Sequence, residues 1–582
     1  MTYATVAPFA RLSPLADELT YAIGPDQLIS VVVGQLVIVP VRGRKVAGII
    51  TGLSRRLPIG ITRVLPIQSL SPITLPASLI RLARWGKEWS WQSLGICLAA
   101  MLPPPLRRWS AVPSLTTEVE TTKTHARPMT VAVVGSFEDR INRYDELLDR
   151  NLTAGRSGLI VFAHDQDLKR FTKLSRHSVQ RWRSSGAKQL RWQQWQDLRS
   201  TSAPLVIAGL RSAIFAPLPQ LGLIIVDTVD GRGHKDDQAP YYHVRRVAAA
   251  RRQLDEAHLV FGGAVAPMTI QPLRTVSGPP LPTSIELIAS DPANPAILQA
   301  GAEGWLTAAP TSRTFILLNQ TGQGIRRCQQ CGTTVPCPTC QSIPVEHSGV
   351  LKCLTCGWHG ATPSHCTHCG GVTLALRGIG TETLAAKLER QLTTAVGLLD
   401  RNHPELPTNA PVVVGTSFAL PYLHRFNPDR ALILGLDLLR QRATFDAGER
   451  AIRLVAELAT MVPNLAIATN APNDPWLQML AHGDFDALIA QELADRTAFA
   501  YPPDVTIATL RSATAEPLTT LSRSLGPLTV FGPTKRRNQR GYQLVVKFPH
   551  SRSPARWLKP RAETGLLKNI TVEVDPSTDT LD

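Results

Sequence analysis

Short apolar runs that alternate with helical patterns constrain this chain more than any other feature. Between residues 129 and about 270 the runs TVAVVG, GLIVFAH, PLVIAGL, LGLIIVD and AHLVFGG are rich in Val, Ile and Leu. Each is short enough for a strand, and stretches of helical periodicity separate them. Strands apolar on both faces and joined by helices form a parallel sheet covered on two sides. The pattern resumes near residue 375 with APVVVGT, RALILGLD and NLAIATN, which predicts a second layer of the same kind. Residues 1 to about 105 differ. LISVVVGQLVIVPV and KVAGIITGL are β-rich and broken by Gly34 and Pro40, and a helical stretch closed by three prolines follows. Residues 106–128 lack periodicity and read as a linker. From about 499 a smaller α+β unit carries a basic hairpin candidate, TKRRNQRGYQLVVKF.

At 582 residues the chain exceeds what one core can serve, so several domains are expected. A hydrophobic fraction of 43% with 18% charged residues describes globular units and excludes a disordered chain. Lys plus Arg total 62 against 45 Asp plus Glu, a net charge of +17, which favours a polyanionic partner such as nucleic acid. No apolar run approaches the roughly 18 residues that cross a bilayer. The N-terminus has no long apolar core of a secretory signal, so a cytoplasmic protein without a membrane role is expected.

Eight of the nine cysteines lie between residues 328 and 369. They form four C-x-x-C pairs: Cys328/Cys331, Cys337/Cys340, Cys353/Cys356 and Cys366/Cys369. Two-residue spacing lets both thiolates of a tight turn reach one ion, and two such turns complete a four-sulfur shell. Eight thiolates therefore predict two structural zinc ions, both with closed shells and no place for a catalytic water. Sequential and nested sharing of the pairs both satisfy the spacing.

The run LGLIIVD ends on Asp227, where a nucleotide-driven motor presents an aspartate to Mg²⁺ beside a glutamate that activates water. Here Thr228, Val229 and Asp230 follow, with no glutamate. Such a motor also needs the phosphate cradle G-x-x-x-x-G-K-[ST]. After the first α/β strand the text is instead VAVVGSFEDRINRYDELL, and Glu138 and Asp139 stand where phosphate would lie. Gly135, Ser136 and Asp227 read as the remnant of a nucleotide site, and no catalytic residue is assigned.

With these features in place, the chain resembles the family of the replication restart protein PriA (primosomal protein N′). VIAGLRSAIFAPLPQLGLIIVD, YYHVRRVAAARR, the cysteine block running into LRGIGTETLAAKL, and QELADRTAFAYPPD carry the resemblance and occur in the family's order. It implies a multidomain α/β protein: a β-rich domain at 1–105 that binds DNA 3′ ends, RecA-like lobes at 129–325 and 373–498, a two-zinc module at 326–372 and a C-terminal domain at 499–582. The family's winged helix has no room in 106–128. Its G-x-T-G-S-G-K-T, D-E-E-H, S-A-T-P-S and G-R-A-G-R motifs are all replaced here, the last two by GGAVAPM and ELATMVPNL. Actinobacterial members are similar in lacking them. The resemblance implies nested zinc pairing, with Cys328, Cys331, Cys366 and Cys369 on one ion and Cys337, Cys340, Cys353 and Cys356 on the other.

The family's partners are forked or branched DNA, helicase-loading primosome proteins, the replicative helicase and single-stranded DNA-binding protein, met at the nucleoid by a monomer. Tyr21 stands where the family has the aromatic of its 3′-end pocket. Arg42, Arg44 and Lys45 in the turn after VIVPV, and Lys535, Arg536, Arg537, Arg540 and Tyr542 in the C-terminal hairpin, are the candidate DNA contacts. Trp85, Trp89 and Trp91 fit packing on a helix face, and Arg211 fits lobe packing or a DNA path. The expected function is fork and D-loop recognition with recruitment of restart factors, without ATP hydrolysis and with ATP binding itself in doubt. The alternative is an ATP-dependent 3′–5′ helicase with a non-standard nucleotide site.

Overall fold

The structure, a computed structural model, describes the chain except for residues 1, 29, 62, 105–127, 269–273, 278–283, 290–299, 310, 319–324, 332, 340–343, 348, 354–357, 378–379, 441–443, 470, 537–539, 551–552 and 577–582. The expected linker at 106–128, and with it the missing winged helix, thus falls almost wholly outside the described residues.

The N-terminal β-rich stretch folds into a five-stranded antiparallel sheet. Its centre is the long strand Arg44–Ser54, flanked by Tyr3–Pro8 and Gln35–Val41. The helices Ala77–Ser90 and Leu94–Ala100 follow, and their apolar faces are spent on the next unit. Leu79, Leu82, Leu94 and Leu98 share one core with Trp192, Phe215 and Val247. Ion pairing reinforces this end: the Lys87 ammonium lies 2.6 Å from Asp17, whose other oxygen accepts from the Leu94 amide at 2.5 Å.

Seven strands form the first parallel sheet, in the order Arg274–Ser277, Thr130–Val134, His258–Gly263, Leu221–Asp227, Ser157–Val161, Val206–Gly209, Val179–Arg181. All seven residues of Leu221–Asp227 are buried, as a central strand covered on both faces demands. Six strands form a second parallel sheet, ordered Ser284–Ala289, Asn464–Thr469, Arg430–Leu434, Thr314–Leu318, Val412–Gly415, Val396–Leu399. Here the structure corrects the sequence division. Ser284–Ala289 and Thr314–Leu318 precede the cysteine segment yet pair into the second sheet, so that segment interrupts the second layer and does not separate the two. An apolar run reports burial but not its partner strand, which is why the boundary could not be read from it.

The cysteine segment holds two small antiparallel sheets, one pairing Ile325–Cys328 with Leu374–Arg377 and one of three short strands. The C-terminal unit is a four-stranded antiparallel sheet, Thr529–Lys535, Tyr542–Pro549, Val505–Ser512 and Thr571–Val574, backed by helices on one face. Its expected hairpin is present, with Lys535 opposite Tyr542. Gly541 turns it at φ +100°, and a Cβ there would lie 2.4 Å from the Ser512 carbonyl oxygen, so only glycine fits. Among the described residues no helix is long and apolar enough to cross a membrane.

Candidate functional site

The strand Thr130–Val134 and the helix Phe137–Thr153 are joined by Gly135 and Ser136 alone. A phosphate cradle is a loop of several residues, whereas this is a tight turn. Ser136 caps the helix, its hydroxyl accepting from the Asp139 amide at 3.2 Å and donating to the Asp139 carboxylate at 2.5 Å. Glu138 pairs with Arg170. The two carboxylates thus occupy the positive end of the helix, where a nucleotide phosphate would otherwise bind.

One helical turn further, Arg140 and Tyr144 reach back to the sheet. The Arg140 guanidinium donates to Asp227 Oδ1 at 2.9 Å and Oδ2 at 3.3 Å, and to the Gly135 carbonyl at 2.7 Å. Tyr144 donates to Oδ1 at 2.7 Å and Thr228 to Oδ2 at 3.0 Å. The ring Nε2 of His234 lies 2.8 Å from the main-chain carbonyl of Asp227. Gly262 on the neighbouring strand makes room for the phenol: a Cβ there would sit 1.6 Å from the Tyr144 oxygen. Arg140, Tyr144 and Asp227 are all buried, Asp227 at 1% exposure. Burial alone would push the Asp227 carboxyl up. The charge of Arg140, with hydrogen bonds from Arg140, Tyr144 and Thr228, outweighs it and holds the group below the usual carboxylate range. The acid that would face a metal ion in a motor is here saturated by the protein's own donors.

The cleft between the sheets is filled in the same manner. Arg453, on the helix Ala447–Ala459, lies 3.6 Å from Asp230 of the first unit and 3.6 Å from Glu449. Arg245 approaches Asp230 at 3.8 Å. Burial, and then the charges of Asp227 and Glu457, push the Asp167 carboxyl up to about 8 against the opposing pull of Arg140 and Arg170. A carboxyl raised in the folded state stabilises through its proton. That contribution is full below about pH 4 and is lost as pH rises towards 8. Asp167→Asn is therefore expected to flatten the fall in amide protection of the helix Asp165–Leu174 between pH 5 and pH 8.5; an undiminished fall in the variant would mean that Asp167 ionises normally.

In the cysteine segment, the sulfurs of Cys328, Cys331, Cys366 and Cys369 all lie within 4.8 Å of one another. Cys328 and Cys369 are 3.6 Å apart, and Cys331 and Cys366 3.7 Å. A tetrahedral ion with sulfurs at about 2.3 Å needs S···S edges of about 3.8 Å, so these four could hold a metal ion. Of the other four, Cys337 and Cys353 are buried beside Trp358, while Cys340 and Cys356 lie outside the described residues.

The candidate DNA contacts fall into two groups. Arg42, Arg44 and Lys45 are exposed on the turn between Gln35–Val41 and Arg44–Ser54. Lys535 and Arg540 are exposed on the C-terminal hairpin, Arg536 and Tyr542 are half-buried, and Arg537 lies outside the described residues. Tyr21 differs from expectation. It is 3% exposed in the N-terminal core and donates to the Pro40 carbonyl at 2.9 Å, so its ring offers no face to a base. Leu19–Ala22 is a strand of the sheet, and alternation sends Tyr21 inward. Arg211 donates to the Lys235 carbonyl at 2.8 Å and packs its own loop. Trp85 and Trp89 stack at 6.1 Å, with Arg246 over the Trp89 ring at 4.7 Å, in the junction between the N-terminal helices, the first sheet and the C-terminal unit. Arg140, Tyr144, Asp167 and Arg453 went unread in the sequence. The one available signal was the i, i+4 spacing of Arg140 and Tyr144, which puts them on one helix face.

Residues 10–103 match the family described as 3′DNA-binding domain (3′BD). The replication restart protein PriA of Treponema pallidum is 27% identical over 360 residues, covering 55% of this chain and 53% of that protein. Its counterpart in Rickettsia conorii is 22% identical over 556 residues, covering 85% and 84%. The matched stretch spans about half the length of several such relatives. Among solved structures, the NS3-like helicase from Alongshan virus aligns with 59% of this chain and 73% of its own, at 9% identity and a TM-score of 0.31.

Proposed function

The chain belongs to the family of the replication restart protein PriA, and on that premise we propose that it binds stalled forks and D-loops and recruits the proteins that reload the replicative helicase, without consuming ATP. The saturated Asp227 carboxylate carries this reading. A catalytic aspartate must exchange ligands with Mg²⁺ at each turnover, and this one is held by Arg140, Tyr144 and Thr228 at 1% exposure. The two-residue turn at Gly135 and Ser136, with Glu138 and Asp139 behind it, supports the same conclusion. In this reading the two parallel sheets are RecA-like lobes kept as a scaffold. The eight cysteines hold two zinc ions in a module suited to docking. The 3′ DNA-binding domain and the C-terminal hairpin grip the branched DNA through Arg42, Arg44, Lys45, Lys535, Arg536 and Arg540.

Fork binding is expected to be salt-sensitive, because each neutralised phosphate releases counterions. Phosphate release with saturating forked DNA is expected at the buffer baseline. Fork-stimulated release that Asp227→Asn abolishes would instead establish an ATP-dependent helicase with a non-standard site.

A further inference from the structure

Beyond residue 372, the exposed large apolar side chains among the described residues are two phenylalanines, Phe499 at 68% and Phe531 at 52% exposure. They come from different elements. Phe499 follows the helix Phe485–Ala498, and Phe531 lies on the strand Thr529–Lys535. The ammonium of Lys547 ties the two elements together: it donates to the main-chain carbonyl of Phe499 at 2.8 Å and lies 5.5 Å from the Phe531 ring centre. The same ammonium sits 3.7 Å from the ring of Tyr501, which stacks on Phe445 at 5.1 Å with planes 10° apart. Lys547 is itself 8% exposed, so it fixes the cluster and does not serve as a surface charge. Tyr501 and Phe445 are thus half-buried in the cluster, while Phe499 and Phe531 are exposed beside it.

Single exposed apolar residues need no explanation, but two exposed rings on segments tied to one lysine mark a surface that does. Its surroundings are cationic. Lys535 stands four residues along the same strand from Phe531, past a break in register before Thr534, with Arg536 and Arg540 next in the hairpin. Aromatic faces beside a row of positive charge match a strand whose bases are unpaired and whose backbone is anionic. We infer that Phe499 and Phe531 form a base-stacking platform for single-stranded DNA, continuous with the basic hairpin. The inference rests on the DNA-binding reading above and adds to it the residues that distinguish an unpaired strand from a duplex.

The test uses the full chain and a single-stranded oligonucleotide carrying 2-aminopurine, followed by anisotropy and by base fluorescence across a salt series. Phe499→Ala and Phe531→Ala are each expected to weaken binding about tenfold and to relieve quenching of the base. Neither should change the salt slope, since both variants leave every phosphate-facing cation in place. Phe499→Tyr and Phe531→Tyr keep a ring face and should bind as the parent does. The pair Lys535→Ala and Arg540→Ala should instead flatten the slope, by about 0.7 for each phosphate that is no longer neutralised. If the parent binds and the basic variants flatten the slope while both alanine variants bind and quench unchanged, the platform is refuted and DNA binding stands. The patch would then serve a protein partner. A parent with no affinity for the oligonucleotide at low salt overturns both readings.

Discussion

Arg140→Met is expected to destabilise the first parallel unit by about 3–5 kcal/mol, because it strands the Asp227 carboxylate in a site with 1% exposure. The Arg140 guanidinium supplies two of the hydrogen bonds to that carboxylate and the only opposite charge among its hydrogen-bond donors. Adding Asp227→Asn removes the uncompensated charge and keeps an acceptor for Tyr144, so the double variant should recover most of the loss. This pattern separates a structural pair from a catalytic one. In a working site Asp227→Asn would cost turnover and leave stability nearly untouched. With several folding units present, the readout is hydrogen exchange of the amides in Leu221–Asp227 and not a single melting midpoint. The pair also carries a pH signature. A carboxyl lowered in the folded state contributes stability above its ordinary value near 4, and this is lost as pH falls through the lowered value. Arg140→Met should therefore flatten the acid limb of protection. Protection unchanged in the single variant would mean that Arg140 does not hold Asp227.

The parallel layers were legible because their strands are short, apolar and buried on both faces, as Leu221–Asp227 is throughout. The cysteine spacing was legible because two thiolates on one turn have few other uses. Loss of the phosphate cradle could be read directly, since Glu138 and Asp139 cannot do a lysine's work. What replaced the cradle could not. Arg140 and Tyr144 lie 87 and 83 residues from Asp227, and nothing in a helical pattern says that an arginine on it will be buried. The same limit hid the pairing of Ser284–Ala289 with Asn464–Thr469, which are far apart in the chain. Tyr21 was misplaced for a different reason. A family position fixes the residue type, whereas the strand's alternation fixes the side-chain direction, and here alternation points inward. Lys547 shows the converse: a charged residue in VVKF reads as solvent-facing, yet it is buried where a carbonyl and aromatic faces replace its water.

On the proposed two-zinc reading, metal removal should have the largest effect of all, on the order of 10 kcal/mol for each site, because the free energy of thiolate–metal binding goes into holding the segment folded. The small sheets of the cysteine segment bury little: among the described cysteines outside the first cluster, Cys337 and Cys353 share their pocket with Trp358. Among the described residues the rest of the support is local: Leu351 and Val335 are buried, and Glu346 is held by Arg326 and Thr362. A strong chelator is thus expected to expose residues 328–369 to protease while the two parallel sheets stay protected. Elemental analysis should give two zinc ions per chain, and the arrangement can be decided by counting. If Cys331 and Cys366 ligate one ion, as their 3.7 Å separation indicates, then Cys331→Ser, Cys366→Ser and the double variant should each retain one zinc. Sequential sharing would put these two cysteines on different ions, and the double variant would then retain none. A single ion in the parent chain would rule out a second four-cysteine site whichever way the pairs are shared.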